Sequence, residues 1–473
     1  MCELRRWGVL ALVALSGCIP TLVENPSREV SRAVPKSFGA DEGQAGDNVA
    51  QQHWKKFFAQ PELQDLIALA LKNNQELNVR LQEMVIANAE VSARRGEYLP
   101  KVKAGLDVGV EKVGKYTSQG ASDEATGVPE HLGNFSFGLA ASWEIDVWGK
   151  LRSAANAADA RSMATLEARN FMVTQLVAEL ERSYFELIAV DNELEVLQRN
   201  IVIQTDALVV VKLEKQAARV TQLAVQRFEA EVLKNRSRLF DLEQERVVLE
   251  NRINFLVGRY PQPVARRSAA LKDPLPSVLK GGLPTQLLEN RPDIRQAELE
   301  MKAAELDVAS ARAAFFPALS IDAAVGYRSF NIAHLVATPE SILYNLAGNL
   351  MAPLLNRAGI EAQYRTANAK QIQAVFNYER TLLQACTDVV NQLVKYENLQ
   401  KGYALQEQQV DMLAQSVEVS NVLFQAARAD YMEVLLTRRD SLDAELELIE
   451  TRKRLMLAMV SLYQALGGGW RAG

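Results

Sequence analysis

Residues 151–257 contain neither glycine nor proline, and residues 360–466 contain a single glycine, Gly402, and no proline. Both stretches are rich in Ala, Leu, Glu, Gln and Arg, so they predict helices far longer than the three turns usual in compact domains. At 1.5 Å per residue, the 67 residues from Leu151 to Ala217 would reach about 100 Å. A turn is expected midway along each stretch. Thr221 and Asp430 are good N-cap residues, and each lies just beyond a copy of Gln-Ala-Ala-Arg, at 216–219 and 425–428. On the second returning arm Leu435, Leu442, Ile449, Met456 and Tyr463 recur every seven residues, the spacing of a coiled-coil seam. Leu233, Phe240 and Val247 hold the matching places in the first.

The two arms belong to an internal repeat. Asn74-Gln75-Glu76-Leu77 matches Arg291-Pro292-Asp293-Ile294, and Tyr98-Leu99-Pro100 matches Phe315-Phe316-Pro317, both at an offset of 217. Further on, the Gln-Ala-Ala-Arg copies and the pair Gly258/Gly467 match at an offset of 209, the change being absorbed by loops of different length. The expected layout is repeat 1 over 61–260, with strands about 101–113 and 134–147 and a helical hairpin 150–257. An equatorial linker 261–282 follows. Repeat 2 covers 283–470, with strands about 318–330 and 341–354 and a hairpin 360–466, and 471–473 close the chain.

The four strand candidates alternate with period two. Val102, Ala104, Leu106, Val108 and Val110 oppose Lys101, Lys103, Asp107 and Glu111; Phe135 through Val147 oppose Ser136, Ser142, Glu144 and Asp146. Leu319, Ile321, Ala323, Val325 and Tyr327 oppose Ser320, Asp322 and Arg328, and Ile342, Tyr344, Leu346, Leu350 and Leu354 form the fourth apolar face. No apolar run of eighteen residues follows residue 18, so a membrane crossing by this chain is expected to use strands. Four strands cannot close a barrel in lipid, so several copies must share one; three copies leave room for a lumen. The polar face carries more Asp and Glu than Lys and Arg, which suggests a cation-preferring lumen. The Gly-, Ser-, Thr- and Asn-rich residues 114–134 and 331–341 are expected as loops on the exterior.

A formal charge of −5 argues against nucleic acid as a partner. His53, His131 and His334 lie far apart, and no HExxH, Cys/His metal pattern, P-loop or GxGxxG is present, so neither an enzyme, a metal nor a cofactor is expected. Arg5 and Arg6, a short apolar run and Leu15-Ser16-Gly17-Cys18 resemble a bacterial lipobox. The resemblance implies a signal peptide over 1–17, acylation of Cys18 and, with Ile19 following, sorting to the outer membrane. Residues 18–60 then read as a tether, and Cys386 as the one free thiol.

Leu287-Leu288-Glu289-Asn290-Arg291-Pro292-Asp293-Ile294, Ala311-Arg312-Ala313-Ala314-Phe315-Phe316-Pro317, Asp430-Tyr431-Met432-Glu433-Val434-Leu435 and Leu466-Gly467-Gly468-Gly469-Trp470 resemble signatures of the outer-membrane efflux protein family. These are the TolC-like channels; the similarity, over about residues 50–470, is to the lipoprotein branch serving resistance-nodulation-division pumps. The resemblance implies a mainly α fold with a transmembrane β portion: a homotrimer with a twelve-stranded β-barrel, four strands per chain, continued by a long α-helical periplasmic barrel. It further implies a periplasmic adaptor and an inner-membrane pump as partners, and a passive exit duct for drugs or other small toxic compounds. A type I protein-secretion duct shares this architecture, and a structural coiled-coil lipoprotein would need no lumen; both stay open at this point. Relatives have Gly where this chain has Ala218 and Ala427, implying a tighter or more helical turn here, and often Asp where it has Leu436. The periplasmic gate is therefore expected as an apolar constriction of Met432 and Leu436, with Asp430, Glu433 and Arg438 in charge contacts between tips. The adaptor is expected on Arg219, Val220, Thr221, Arg428, Ala429 and Asp430.

Overall fold

The computed structural model describes residues 27–35, 37–38, 49–58, 60–274, 282–426, 428–429 and 431–471. In chain order the main elements are α1 (Pro61–Asn73), α2 (Gln75–Glu97), β1 (Lys101–Glu111), α3 (Ser118–Thr126), β2 (Leu132–Ile145), α4 (Lys150–Gln216) and α5 (Gln222–Leu256). Then follow α6 (Pro292–Ala313), β3 (Ala318–Ser329), β4 (Ile342–Met351), α7 (Ala358–Gln425) and α8 (Tyr431–Ala465). The chain divides into two compact units, one built on 84–164 and 298–377, the other on 31–83, 165–297 and 378–473.

In the first unit the strands form one antiparallel sheet in the order β1-β2-β3-β4. Directly paired residues share a face, so the register decides whether the alternating patterns add up. They do: Leu106 pairs with Phe137 and Phe137 with Tyr327, while Leu139 pairs with Val325 and Val325 with Tyr344. Gly138 and Gly326 face each other so closely that a Cβ on either would lie 2.5 or 2.4 Å from a carbonyl oxygen of the other strand, so only glycine fits at this pair. The indole N–H of Trp143 donates to the Tyr98 carbonyl (3.0 Å), and that of Trp148 to the Pro317 carbonyl (2.8 Å), pinning both helix-to-strand corners.

Three details differ from the sequence reading. Asp146 is not a strand residue: β2 ends at Ile145, and the Asp146 carboxylate accepts the backbone N–H groups of Leu151 and Arg152, satisfying orphan donors at the start of α4. β4 stops at Met351, because Pro353 has no N–H to continue the ladder to Leu354. The polar connection after β1 folds in part as α3, capped by the Thr117 hydroxyl at one end and by left-handed Gly127 at the other.

The second unit shows why the repeat exists in three dimensions. Gly258 and Gly467, both with positive φ, press against the carbonyls of Asn73 and Asn290; a Cβ on either would approach to 2.5 Å. Beside them Asn74 donates to the Leu256 carbonyl (2.9 Å) and Arg291 to the Ala465 carbonyl (3.0 Å). Each returning helix is thus tied at its C-terminus to the start of its own repeat. The linker is held by Arg266, which pairs with Asp191 and Glu250, and by Asn192, which donates to the Ser268 carbonyl.

Glu181 of α4 is fully buried, and neither carboxylate oxygen has a hydrogen-bond partner. Burial pushes its carboxyl well above the usual carboxylate range, opposed only by Arg182. The folded state therefore holds a proton that the unfolded chain releases at ordinary carboxylate pH, and stability falls as pH rises above that point. Glu181→Gln is expected to flatten this dependence and to raise the thermal midpoint increasingly from pH 5 towards pH 8, with a limiting slope of about 1.4 kcal/mol per pH unit. Parallel pH profiles for the two proteins would show that the carboxyl titrates normally.

Candidate functional site

The sheet presents two unlike faces. The apolar one stays uncovered, with Leu106, Val110, Tyr344 and Leu346 among its exposed side chains. The other is polar and internally bonded: Asn349 donates to Asp322 (2.9 Å), Arg328 to Asn134 (3.0 Å), and Glu144 pairs with Lys150. With Asp146 acting as a helix cap and Glu144 neutralised, Asp107, Glu111 and Asp322 stand against Lys101, Lys103 and Arg328. The acidic surplus read from the sequence is gone from this face. Among the described residues no helix is long and apolar enough to cross a membrane, and no cluster of three or more His, Cys, Asp or Glu is placed to hold a metal.

The long helices carry a second set of surfaces. Leu442 and Met456 of the α8 seam are each 2% exposed, and Leu442 packs with Val190, Val196 and Leu197 of α4. The matching positions on α5 behave differently: Leu233 is 64% and Phe240 68% exposed. On α7, Leu405 is 68% exposed, although its counterpart in the first repeat, Val196, is buried against α8. Identical spacing thus gives a covered seam in one repeat and two uncovered stripes elsewhere.

Both hairpin tips lie in one cluster, in which Leu208, Val211, Ala224, Val225 and Phe228 pack with Tyr431 and Leu435. The Tyr431 ring lies 4.7 Å from Phe228 and 5.8 Å from Phe424, so it joins the two hairpins; the sequence reading used Tyr431 only as part of a family signature. Of the expected gate residues, Met432 packs against this cluster, Leu436 is 42% exposed, and Glu433 is exposed. Arg438 turns back to its own hairpin and donates to Asn421 of α7 (3.0 Å). Of the expected docking residues, Arg219 and Arg428 are exposed, Val220 packs on the cluster, Ala429 is half-buried, and Thr221 caps α5 by accepting the Ala224 N–H. Cys18, Ala427 and Asp430 lie outside the described residues.

The family model described as "Outer membrane efflux protein" matches residues 66–259 and 283–468. The chain is 30% identical over 451 residues to the "Pyoverdine export outer membrane protein OpmQ" of Pseudomonas putida, covering 93% of each. It is 27% identical to the "Cation efflux system protein CusC" of Escherichia coli, covering 97% of each. A crystal structure of CusC described in terms of "transmembrane channel formation" superposes with a TM-score of 0.81 at 24% identity, covering 94% of this chain and 99% of that one. The "Probable outer membrane lipoprotein SilC" of Salmonella typhimurium is 24% identical, with 99% of this chain and all of SilC covered.

The turn between α4 and α5 keeps the glycine geometry without the glycine. Ala218 has φ +56°, and the Ala218 and Arg219 N–H groups bond back to the carbonyls of Lys215 and Glu214, closing α4 with a left-handed residue. Alanine is strained into this left-handed position. Ala218→Gly is expected to stabilise the tip by about 0.5–1 kcal/mol. Hydrogen exchange of the amides around 214–221 should slow; faster exchange would show that the alanine is not strained.

Proposed function

The chain is an outer-membrane efflux channel that belongs to the outer membrane efflux protein family, and we propose that it works as a homotrimeric exit duct. The observation carrying this reading is the open sheet, four strands with one apolar face and two unpaired edges. Pairing β1 of one copy with β4 of the next, three times over, gives twelve strands, a closed barrel wide enough for an aqueous lumen. Its apolar face meets lipid, and its polar face lines the pore.

The helices support the same count of partners. Within one chain α8 of the second repeat covers α4 of the first. By the repeat symmetry, α5 of the first repeat should cover α7 of a second repeat, and in this chain both matching stripes are bare. The neighbouring copy supplies the missing contact, with Leu233 and Phe240 laid against the stripe that carries Leu405.

Cys18 is acylated in this reading, as in a lipoprotein relative such as SilC, and anchors the tether. The first described residues fit a strap: Ser27 donates to Asn368 (2.7 Å), and the Arg28 backbone exchanges two hydrogen bonds with the Gln371 side chain on α7. The duct takes its cargo from an inner-membrane resistance-nodulation-division pump through a periplasmic adaptor seated on the hairpin tips. Relatives named for pyoverdine export and for cation efflux share this chain plan. That supports a wall with little chemical choice of its own, the cargo being selected by the pump. At the tips, three copies of exposed Leu436 form an apolar ring that stops ions by dewetting, with Met432 packed behind it and Glu433 exposed nearby.

Purified protein in detergent should have three times the mass of one mature chain, and Phe240→Asp should leave monomers. Monomeric wild-type protein would end the trimer reading. In planar bilayers the wild type should give small, mostly closed currents, and Leu436→Ala should raise the open fraction about tenfold. Unchanged currents and unchanged antibiotic influx would remove Leu436 from the gate.

A further inference from the structure

At the end of the sheet opposite the corners pinned by Trp143 and Trp148, the two strand connections are made of different material. Residues 112–131, between β1 and β2, carry Lys112, Lys115, Asp123, Glu124 and Glu130, with Lys112 paired to Glu130 and Lys115 to Glu124. Residues 330–341, between β3 and β4, carry one Asp, Glu, Lys or Arg side chain, Glu340, and leave Phe330, Ile332 and Val336 63%, 65% and 68% exposed. The backbone of this second connection is bonded to itself. The His334 N–H donates to the Asn331 carbonyl (3.0 Å), the Ala337 N–H to the His334 carbonyl (3.0 Å) and the Ser341 N–H to the Ala337 carbonyl (2.9 Å). The Asn331 side chain accepts the Ala333 N–H (3.0 Å), and the buried Ser341 hydroxyl donates to the His334 carbonyl (2.6 Å).

One contact fixes which side of the sheet this connection lies on. Tyr327 belongs to the apolar face, where its ring stacks on Phe137 (5.2 Å between centroids), and its hydroxyl lies 3.3 Å from the Thr338 hydroxyl, within hydrogen-bond reach. The connection therefore leans over the apolar face and away from the polar one, where Arg328 is engaged with Asn134. A loop in water can leave its peptide groups to the solvent; a loop against lipid needs those groups paired and its outward side chains apolar. We infer that residues 330–341 are an interfacial anchor, lying on the lipid side of the barrel with Ile332 and Val336 among the acyl chains of the outer leaflet. The partner is a lipid surface, and the anchor prolongs the apolar face beyond the ends of β3 and β4. A neighbouring copy would bring its charged β1–β2 connection to this place, a poor cover for Ile332 and Val336. The inference rests on the reading that the apolar face meets lipid, and it bears on the exit: the β3–β4 connection does not roof the lumen, which leaves only the charged β1–β2 connection beside the outflow.

The test puts a spin label on single cysteines of the full-length protein, in a Cys386→Ala background, reconstituted into phosphatidylcholine vesicles. At each site the collision rate with oxygen, which concentrates in the bilayer, is compared with that of a water-soluble nickel chelate. Ile332→Cys and Val336→Cys should favour oxygen about fivefold more than Tyr116→Cys, which sits fully exposed in the charged connection. Adding Tyr327→Phe should lower the preference at Val336→Cys about twofold, because the bond to Thr338 is lost. A preference untouched by Tyr327→Phe overturns the part given to that hydroxyl in positioning the loop. Nickel favoured at both loop sites puts the connection in water, and shielding from both reagents puts it against another copy; either result overturns the proposal. Leu346→Cys, on the apolar face itself, separates the two readings. Oxygen favoured there with nickel favoured at Ile332→Cys and Val336→Cys sinks only the anchor, whereas nickel favoured at Leu346→Cys sinks the barrel reading and the anchor with it.

Discussion

In hydrocarbon an unpaired peptide N–H or C=O has no water to turn to, and each such group costs several kcal/mol. The sheet of this chain carries that debt along two edges, the outer side of β1, 11 residues long, and the outer side of β4, 10 residues long. In a soluble protein a helix, a bulge or a charged residue would blunt such edges. Here they are regular, flat in register and flanked by an uncovered apolar face. The sheet is therefore one part of a closed object, and the demand for closure propagates to everything joined to it. Within the sheet, Gly138 and Gly326 face each other where a Cβ would strike the neighbouring strand, and indole hydrogen bonds pin the strand ends.

The repeat serves the same demand with one design used twice. Asn74 and Arg291 are chemically unlike, yet both donate to the last carbonyls of a returning helix, and both stand beside a left-handed glycine that allows the chain to come that close. What the two repeats do not share is exposure. The α8 seam is buried because α4 is available to it inside the chain; the α5 stripe is bare, with Leu233 and Phe240 exposed. A pseudo-symmetric unit with one internal contact satisfied and the equivalent one left open at both ends is a heterologous building block, which closes into a ring when the rotation permits.

Periodicity made most of this legible from the residues alone. The near-absence of Gly and Pro over two stretches of more than a hundred residues, broken only by Gly402, marks the long helices, and strict alternation marks the strands, because both signals follow from which side of an element touches what. Where the reading fell short, a local hydrogen-bonding need had overruled the pattern. Asp146 continues the alternation of β2 in sequence, but free N–H groups at the start of α4 claim its carboxylate. Leu354 continues the apolar period of β4, but Pro353 ends the ladder. Leu233 and Leu442 cannot be told apart by spacing, since burial depends on which helix lies opposite. Glycine is the usual residue at the position of Ala218, and nothing in the identity of an alanine reports that its backbone is held at positive φ.

Buried polar groups of the helical unit are satisfied unevenly. Asn235 donates to Gln204, and Arg291 to Asp293 and the Ala465 carbonyl, whereas both carboxylate oxygens of Glu181 lack partners. At the tips a strained alanine, an unbonded tyrosine hydroxyl and a guanidinium with an idle Nε lie within a few residues of two turns. Each lowers the free energy needed to rearrange the tips without weakening the seam further along α4 and α8, where Leu442 and Met456 are packed. The packing of Phe228, Phe424 and Tyr431 joins the two hairpins at their ends, so any rearrangement of the tips must first part these rings.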